Sequence, residues 1–399
     1  MTRVRRGLEW SAAAAVAIVL TTQAYVDLEL SADLWGWHAN APVVDLAGLV
    51  LLAIVATAWR LGMLSPLRWR PPAPAAWLAL LAVALVGVPG ALFPEVSLHA
   101  VARRAMFAWL VYGVALSLAV ASLLTTAQLR ALVLLGAGIT AGVSIGTSAL
   151  RIVGGDALWY QPLAHLTPNH KTLAVSLAGW LPLVLGWARA GVGRGRAAAR
   201  MVVLLAFAAI ALSVSKTAIL AAAFAIGWHW PAQRPLATRL RLVGPALLAG
   251  ALLAYYSPLI IDSKVMLDAA RSRHSLNERA WMLFSANPLL GAGLGASTYV
   301  EQVTFPHYRV NGVDAHGVTQ KIASETGLLG LVAWCSFTAR VLQRLWRQRG
   351  ASLGHHAALG TFFGLHLQLL VSTETFAPTH WVPLAICWGL SFRDAEVGR

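Results

Sequence analysis

Charge is what this chain has least of. Only 12% of its 399 residues are Asp, Glu, Lys or Arg, about half the share found in soluble globular proteins. Lysine is nearly missing: the whole chain has Lys171, Lys216, Lys264 and Lys321. So few charges cannot cover two or three soluble domains, and length does not convert into domain count here. The two cysteines, Cys335 and Cys387, both lie in apolar runs and supply no disulfide framework. Internal repeats and long hydrophilic linkers are missing too. What is abundant is apolar: 58% of residues are hydrophobic and 17 are Trp, which excludes a disordered or low-complexity chain. These features predict an all-α polytopic membrane protein. The net charge of +15 would suggest nucleic acid in a soluble protein. Here no basic cluster is joined to a soluble module, and cytoplasmic loops collect Lys and Arg, so no nucleic-acid partner is expected.

A spanning helix needs about 20 mostly apolar residues. Twelve such runs lie near 8–28, 41–62, 75–94, 105–124, 129–150, 172–188, 200–214, 217–231, 242–261, 322–340, 357–374 and 378–392. The first follows Arg3, Arg5 and Arg6 like a signal sequence, but no small-residue cleavage site follows it, so it reads as an uncleaved anchor. The organisation is a single membrane domain, 1–399, with a sizeable loop at 262–315 between the ninth and tenth spans.

With the N-terminus inside, 20 of the 31 basic residues fall in inward loops, as the positive-inside rule requires. Both termini are then cytoplasmic and 262–315 faces outward. The other eleven are Arg103, Arg104, Arg151, Lys171, Lys216, Lys264, Arg271, Arg273, Arg279, Arg309 and Lys321. Single residues of this set can snorkel to headgroups. As a group at the outer ends of spans, they point to a polyanionic ligand.

Within the loop, 275–286 predicts a short helix with Ser275 as N-cap and Glu278 at the capping-box position, ended by Pro288. The Gly291-Ala-Gly293-Leu-Gly295 run follows no strand and lacks dinucleotide spacing. It predicts a tight turn where backbone passes close to a helix or headgroup. The tenth span then opens with His316, Gln320, Lys321, Ser324 and Glu325. On a helix, His316, Gln320 and Lys321 share one face, with Ser324 one turn on. Polar residues placed there against hydropathy line a bundle interior or aqueous cavity.

These residues resemble the O-antigen ligase superfamily of bacterial inner-membrane glycosyltransferases, which also contains O-antigen polymerases and protein O-oligosaccharyltransferases. The resemblance covers about 275–331 and the number of spans. Its main motif, a His followed by Glu-x-Gly-x-x-Gly, is matched by His316, Gln320, Glu325, Gly327 and Gly330. Glu278-Arg279 near Trp281 and the Pro288–Gly295 run are similar to family elements, as is Pro168-Asn169-His170. Ser215-Lys216 stands where a Ser-Arg pair is typical, keeping the charge without the bidentate fork that grips phosphate. Gly317 replaces an Asn that often follows the motif His.

The resemblance implies a glycan donor on undecaprenyl diphosphate and, for a ligase, lipid A–core as acceptor in lipopolysaccharide biosynthesis. It also implies the bacterial inner membrane, with the active site on the periplasmic side. Arg279, Lys216, Arg273, Lys171 and Lys321 are expected to hold the donor diphosphate, with Arg279 acting on the leaving group. His316 is the expected general base, since an unperturbed His is largely neutral near pH 7. Gln320, Glu325 and Asn169 are supporting residues. Direct attack would invert the anomeric centre. A glycosyl-enzyme on Glu325 or Asp314 lacks a second carboxylate at suitable spacing. No metal-ligand cluster stands out, so metal-independent transfer without a cofactor is expected. A ligase is preferred over a polymerase or protein glycosyltransferase because no extra acceptor-binding domain is present. A secondary anion transporter is the reading from another class. Twelve spans suit it, but the polar residues gather at the outer edge rather than the midplane.

Tryptophans near span ends, at 10, 59, 77, 187, 228 and 346, predict an aromatic belt. Trp159, Trp281 and Trp381, on the outer side, are candidates for glycan contact. The Arg340–Arg349 stretch reads as a cytoplasmic interfacial anchor.

Overall fold

The computed structural model describes residues 2–22, 29–34, 37–64, 74–101, 107–153, 170–190, 192–213, 215–229, 276–297, 317–350, 352–369 and 378–392. The helices are α1 (Thr2–Thr22), α2 (Val43–Arg60), α3 (Pro74–Val86), α4 (Pro94–Ala100), α5 (Thr126–Val153), α6 (His170–Ala190), α7 (Gly193–Ser213) and α8 (Lys216–His229). They continue as α9 (276–286), α10 (Val318–Gln348), α11 (Leu353–Leu369) and α12 (Pro378–Leu390). Between α4 and α5 the chain winds in wider π turns over Phe107–Leu116 and Ala119–Leu123. Helix thus falls on eleven of the twelve predicted runs, while the run at 242–261 lies outside the described residues. Five of the described helical stretches are long and apolar enough to cross a membrane: Val43–Arg60, Thr126–Thr147, Leu173–Ala190, Gly193–Ser213 and Val318–Gln348. The fold is that of a polytopic helical membrane protein.

One element departs from the all-α expectation. β1 (Glu29–Leu34) and β2 (Trp37–Pro42) pair antiparallel, with Glu29 opposite Pro42 and Leu34 opposite Trp37. The physical reason is visible in Glu-Leu-Ser-Ala-Asp-Leu, which alternates polar and apolar with the period of a strand.

Local chemistry fixes where helices begin. Thr125 and Gln128 form a reciprocal capping box before α5: Thr125 N–H donates to Gln128 Oε1 at 2.8 Å and Gln128 N–H to Thr125 Oγ1 at 3.2 Å. Ser215 caps α8 through Ala218 N–H, and Ser352 caps α11 through His355 N–H.

The centre of the bundle is α6, packed against α5, α7, α8 and α11, with Trp180 wholly enclosed. Close helix approach depends on small residues. A Cβ on Gly186 would collide with Ala357, and one on Gly360 with the Trp228 ring. The outer surfaces of α2 and α7 instead expose Leu49, Val50, Met201 and Leu204, a distribution suited to lipid.

The contacts also sort the helix ends into two groups. At one end Arg130 meets Gly195, Trp228 Nε1–H donates to the His356 carbonyl at 2.9 Å, and Arg344 Nε–H donates to the Ser391 carbonyl at 3.0 Å. At the other, Leu92 N–H donates to the Ala292 carbonyl at 2.9 Å, and 287–297 lies against the start of α10.

Candidate functional site

The first turns of α10 carry the polar residues that hydropathy disfavours. Val318, Lys321, Ile322 and Glu325 are all buried, at the i, i+3, i+4, i+7 spacing of one helix face, and Ser324 is buried beside them. Lys321 is 3% exposed and Glu325 1%. Gln320 points the other way and is exposed. The predicted face common to Gln320 and Lys321 is therefore corrected: one residue along a helix turns the side chain by about 100°, which here separates bulk from core.

Gly317 begins α10 with φ +123° and its carbonyl accepts from Lys321 N–H at 3.1 Å. That backbone conformation is open to glycine and strained for a residue that carries a side chain.

Ten residues further along, α10 is interrupted. Gly327 has φ +65° and ψ −165°. In an unbroken helix, Leu328 N–H would donate to the Ser324 carbonyl and Leu329 N–H to Glu325. Instead the 287–297 segment is stitched into the gap. Ala292 and Gly293 N–H donate to the Ser324 and Glu325 carbonyls, at 2.8 and 3.0 Å. Leu328 and Leu329 N–H donate to the Pro288 and Leu289 carbonyls, at 2.8 and 3.3 Å. All four freed backbone groups find partners, as burial requires.

The glycine run exists for this approach. A Cβ on Gly291 would strike the Glu325 backbone, and one on Gly327 would strike Leu289; both residues also have positive φ. Gly293 lies against Ala91 and Ser97, so the α3–α4 turn closes the other side of the segment. The predicted tight turn against a helix is what the structure shows. Ser297 then pins the end of the segment: its Oγ–H donates to Glu325 Oε1 at 2.5 Å, both groups being buried. Ser297 escaped the sequence reading, since nothing local to it signals a partner 28 residues on.

Upstream, α9 occupies 276–286 and stops before Pro288, as predicted. Leu276 and Ala280 are buried, Arg279 is half-buried and Glu278 is exposed. His316, Arg273 and Asn169 lie outside the described residues, as do Asp314 and Trp159. Lys171 falls in the first turn of α6, and Lys216 opens α8 directly after its Ser215 cap. The structure thus joins Glu325, Ser297 and the glycine run in one junction, with Lys321 buried one turn before Glu325 on the same helix face. Among the described residues, no group of three or more His, Cys, Asp or Glu is gathered as a metal site.

Two tryptophan expectations are corrected. Trp381 is buried against Trp334 and Phe337, so it is core and does not face a glycan. Trp187 is also buried, whereas Trp10, Trp59 and Trp346 are exposed like a belt. Compared with known proteins, the chain matches no family model and no curated protein.

Proposed function

We propose that this protein is an inverting glycosyltransferase of the O-antigen ligase type, moving a glycan from undecaprenyl diphosphate to lipid A–core. The observation that carries the reading is the junction near the N-terminal end of α10, where buried Lys321, Ser324 and Glu325 precede a helix break into which a glycine segment is stitched. Backbone held in sparsely populated conformations and ionisable side chains inside an apolar bundle both cluster at functional sites, and the two coincide here. In this reading the chain crosses the bacterial inner membrane twelve times, with both termini cytoplasmic and 262–315 periplasmic.

The chemistry balances with side chains alone. The acceptor hydroxyl attacks the anomeric carbon as neutral His316 takes its proton. The carbon–oxygen bond to the diphosphate breaks, and its electron pair leaves on the phosphate oxygen. Arg279, Lys216 and Lys321 stabilise that charge, with Arg273 and Lys171 reinforcing them. Glu325, held by Ser297, positions the start of α10, and Gln320 and Asn169 support the acceptor side.

The test is transfer by the purified protein in detergent, with undecaprenyl-diphosphate-linked glycan, lipid A–core and EDTA. A glycan ladder shifted onto lipid A–core is the expected result. Lengthening of the glycan on its own carrier would identify a polymerase instead. Gradient-driven uptake into proteoliposomes without transfer would favour an anion transporter.

A further inference from the structure

We infer that α9 lies in the outer membrane interface, with Trp281 and Met282 inserted among lipids. A helix resting on a protein in water turns its apolar side inward and its polar side out. The buried positions of α9, Leu276 and Ala280, follow that rule. Its outward stripe, however, is Glu278, Trp281, Met282 and Ser285, spaced three, four and seven residues from the first. Trp281 is 67% exposed and Met282 60%. The two largest side chains on that stripe are therefore apolar and uncovered.

Continuity with the membrane-facing surface names the occupant. Leu289, 62% exposed, follows α9 in the turn just beyond Pro288. Its carbonyl accepts from Leu329 N–H, which fixes it beside the exposed Leu328 and Leu329 of α10. Those leucines belong to a helix long and apolar enough to cross a membrane. An apolar surface thus runs from the spanning part of α10 through Leu289 toward α9. Trp at the rim of such a surface suits the interface, its ring in the acyl boundary and its N–H toward headgroups. The consequence is a depth setting: α9 would hold Arg279 at headgroup level and tie the stitched junction to the membrane surface. The inference does not depend on the transfer reaction.

The experiment is site-directed spin labelling of the full chain in phosphatidylethanolamine–phosphatidylglycerol proteoliposomes. Cys335→Ala and Cys387→Ala remove the native thiols, and one new cysteine is placed per variant: Glu278→Cys, Trp281→Cys, Met282→Cys or Ser285→Cys. Power saturation compares access of lipid-soluble oxygen with access of a water-soluble nickel chelate. The expected result is an oxygen-to-nickel ratio several-fold higher at 281 and 282 than at 278. Equal nickel access at 278, 281 and 282 would place the stripe in water and overturn the inference. Shielding of 281 and 282 from both reagents would mean that protein or glycan covers the stripe, and would overturn it equally. The labels at 281 and 282 report independently, so failure of one variant to fold leaves the other decisive.

Discussion

At its C-terminal end α10 runs regularly to Gln348 and its charges are answered close by. Arg344 Nε–H donates to the Ser391 carbonyl and its guanidinium lies 4.0 Å over the Phe392 ring, while Arg349 caps the Trp346 carbonyl and stacks on its indole. At its N-terminal end the same helix turns Lys321, Ser324 and Glu325 inward, breaks at Gly327, and accepts a second segment into the gap. The charged end has the form of the interfacial anchors that membrane helices commonly carry. The polar, interrupted end needs several coordinated features, none of which insertion demands. That difference, more than polarity alone, sets the two ends of α10 apart.

The largest effect expected from breaking this contrast comes from Gly327→Val. The substitution places a β-branched residue at φ +65° and drives its Cβ into Leu289, adding a backbone cost of about 1–2 kcal/mol to a steric clash. The four stitching bonds should fail together, seen as loss of a monodisperse folded peak in detergent; Gly291→Ala should act in the same direction. Gly350→Ala, beyond the other end of the helix where a Cβ meets open space, should leave the melting temperature nearly unchanged.

Next in size is Ser297→Ala, which removes the hydroxyl donated to Glu325 and should destabilise by about 1–3 kcal/mol. A double-mutant cycle with Glu325→Gln, read by thermal melts, should give a coupling energy well above that of a surface pair. Arg344→Ala comes third. Loss of one hydrogen bond and one cation–π contact at a partly exposed site should lower stability by about 1 kcal/mol. The smallest effect belongs to Glu9→Ala. It removes the exposed Arg5–Glu9 pair at spacing i, i+4, about 0.3–0.5 kcal/mol.

Much of this architecture is written in local sequence. Apolar runs place the helices, Pro288 stops α9, and a G-x-G-x-G run without a strand announces backbone packed against something. The parts that escape local reading are tertiary. Gln320 and Lys321 are neighbours with similar polarity, and only packing against α3 and the glycine segment decides which is buried. Trp381 and Trp346 both lie near span ends, yet one is core and the other is exposed. Ser297 acquires its role from Glu325 across a chain reversal. The β-hairpin has a local signal in the alternation of Glu29–Leu34, but six residues of period two are a weak pattern beside apolar runs of about twenty.

In the proposed function the interrupted end of α10 takes part in glycan transfer and the charged end does not. The most direct measurement is the transfer rate from undecaprenyl-diphosphate-linked glycan to lipid A–core for His316→Ala, Lys321→Met and Arg344→Ala, each first verified as folded by size exclusion. The account predicts loss of at least about 100-fold for His316→Ala, the scale of a removed general base, a large loss for Lys321→Met, and a near wild-type rate for Arg344→Ala. Wild-type transfer by folded His316→Ala and Lys321→Met proteins would contradict it.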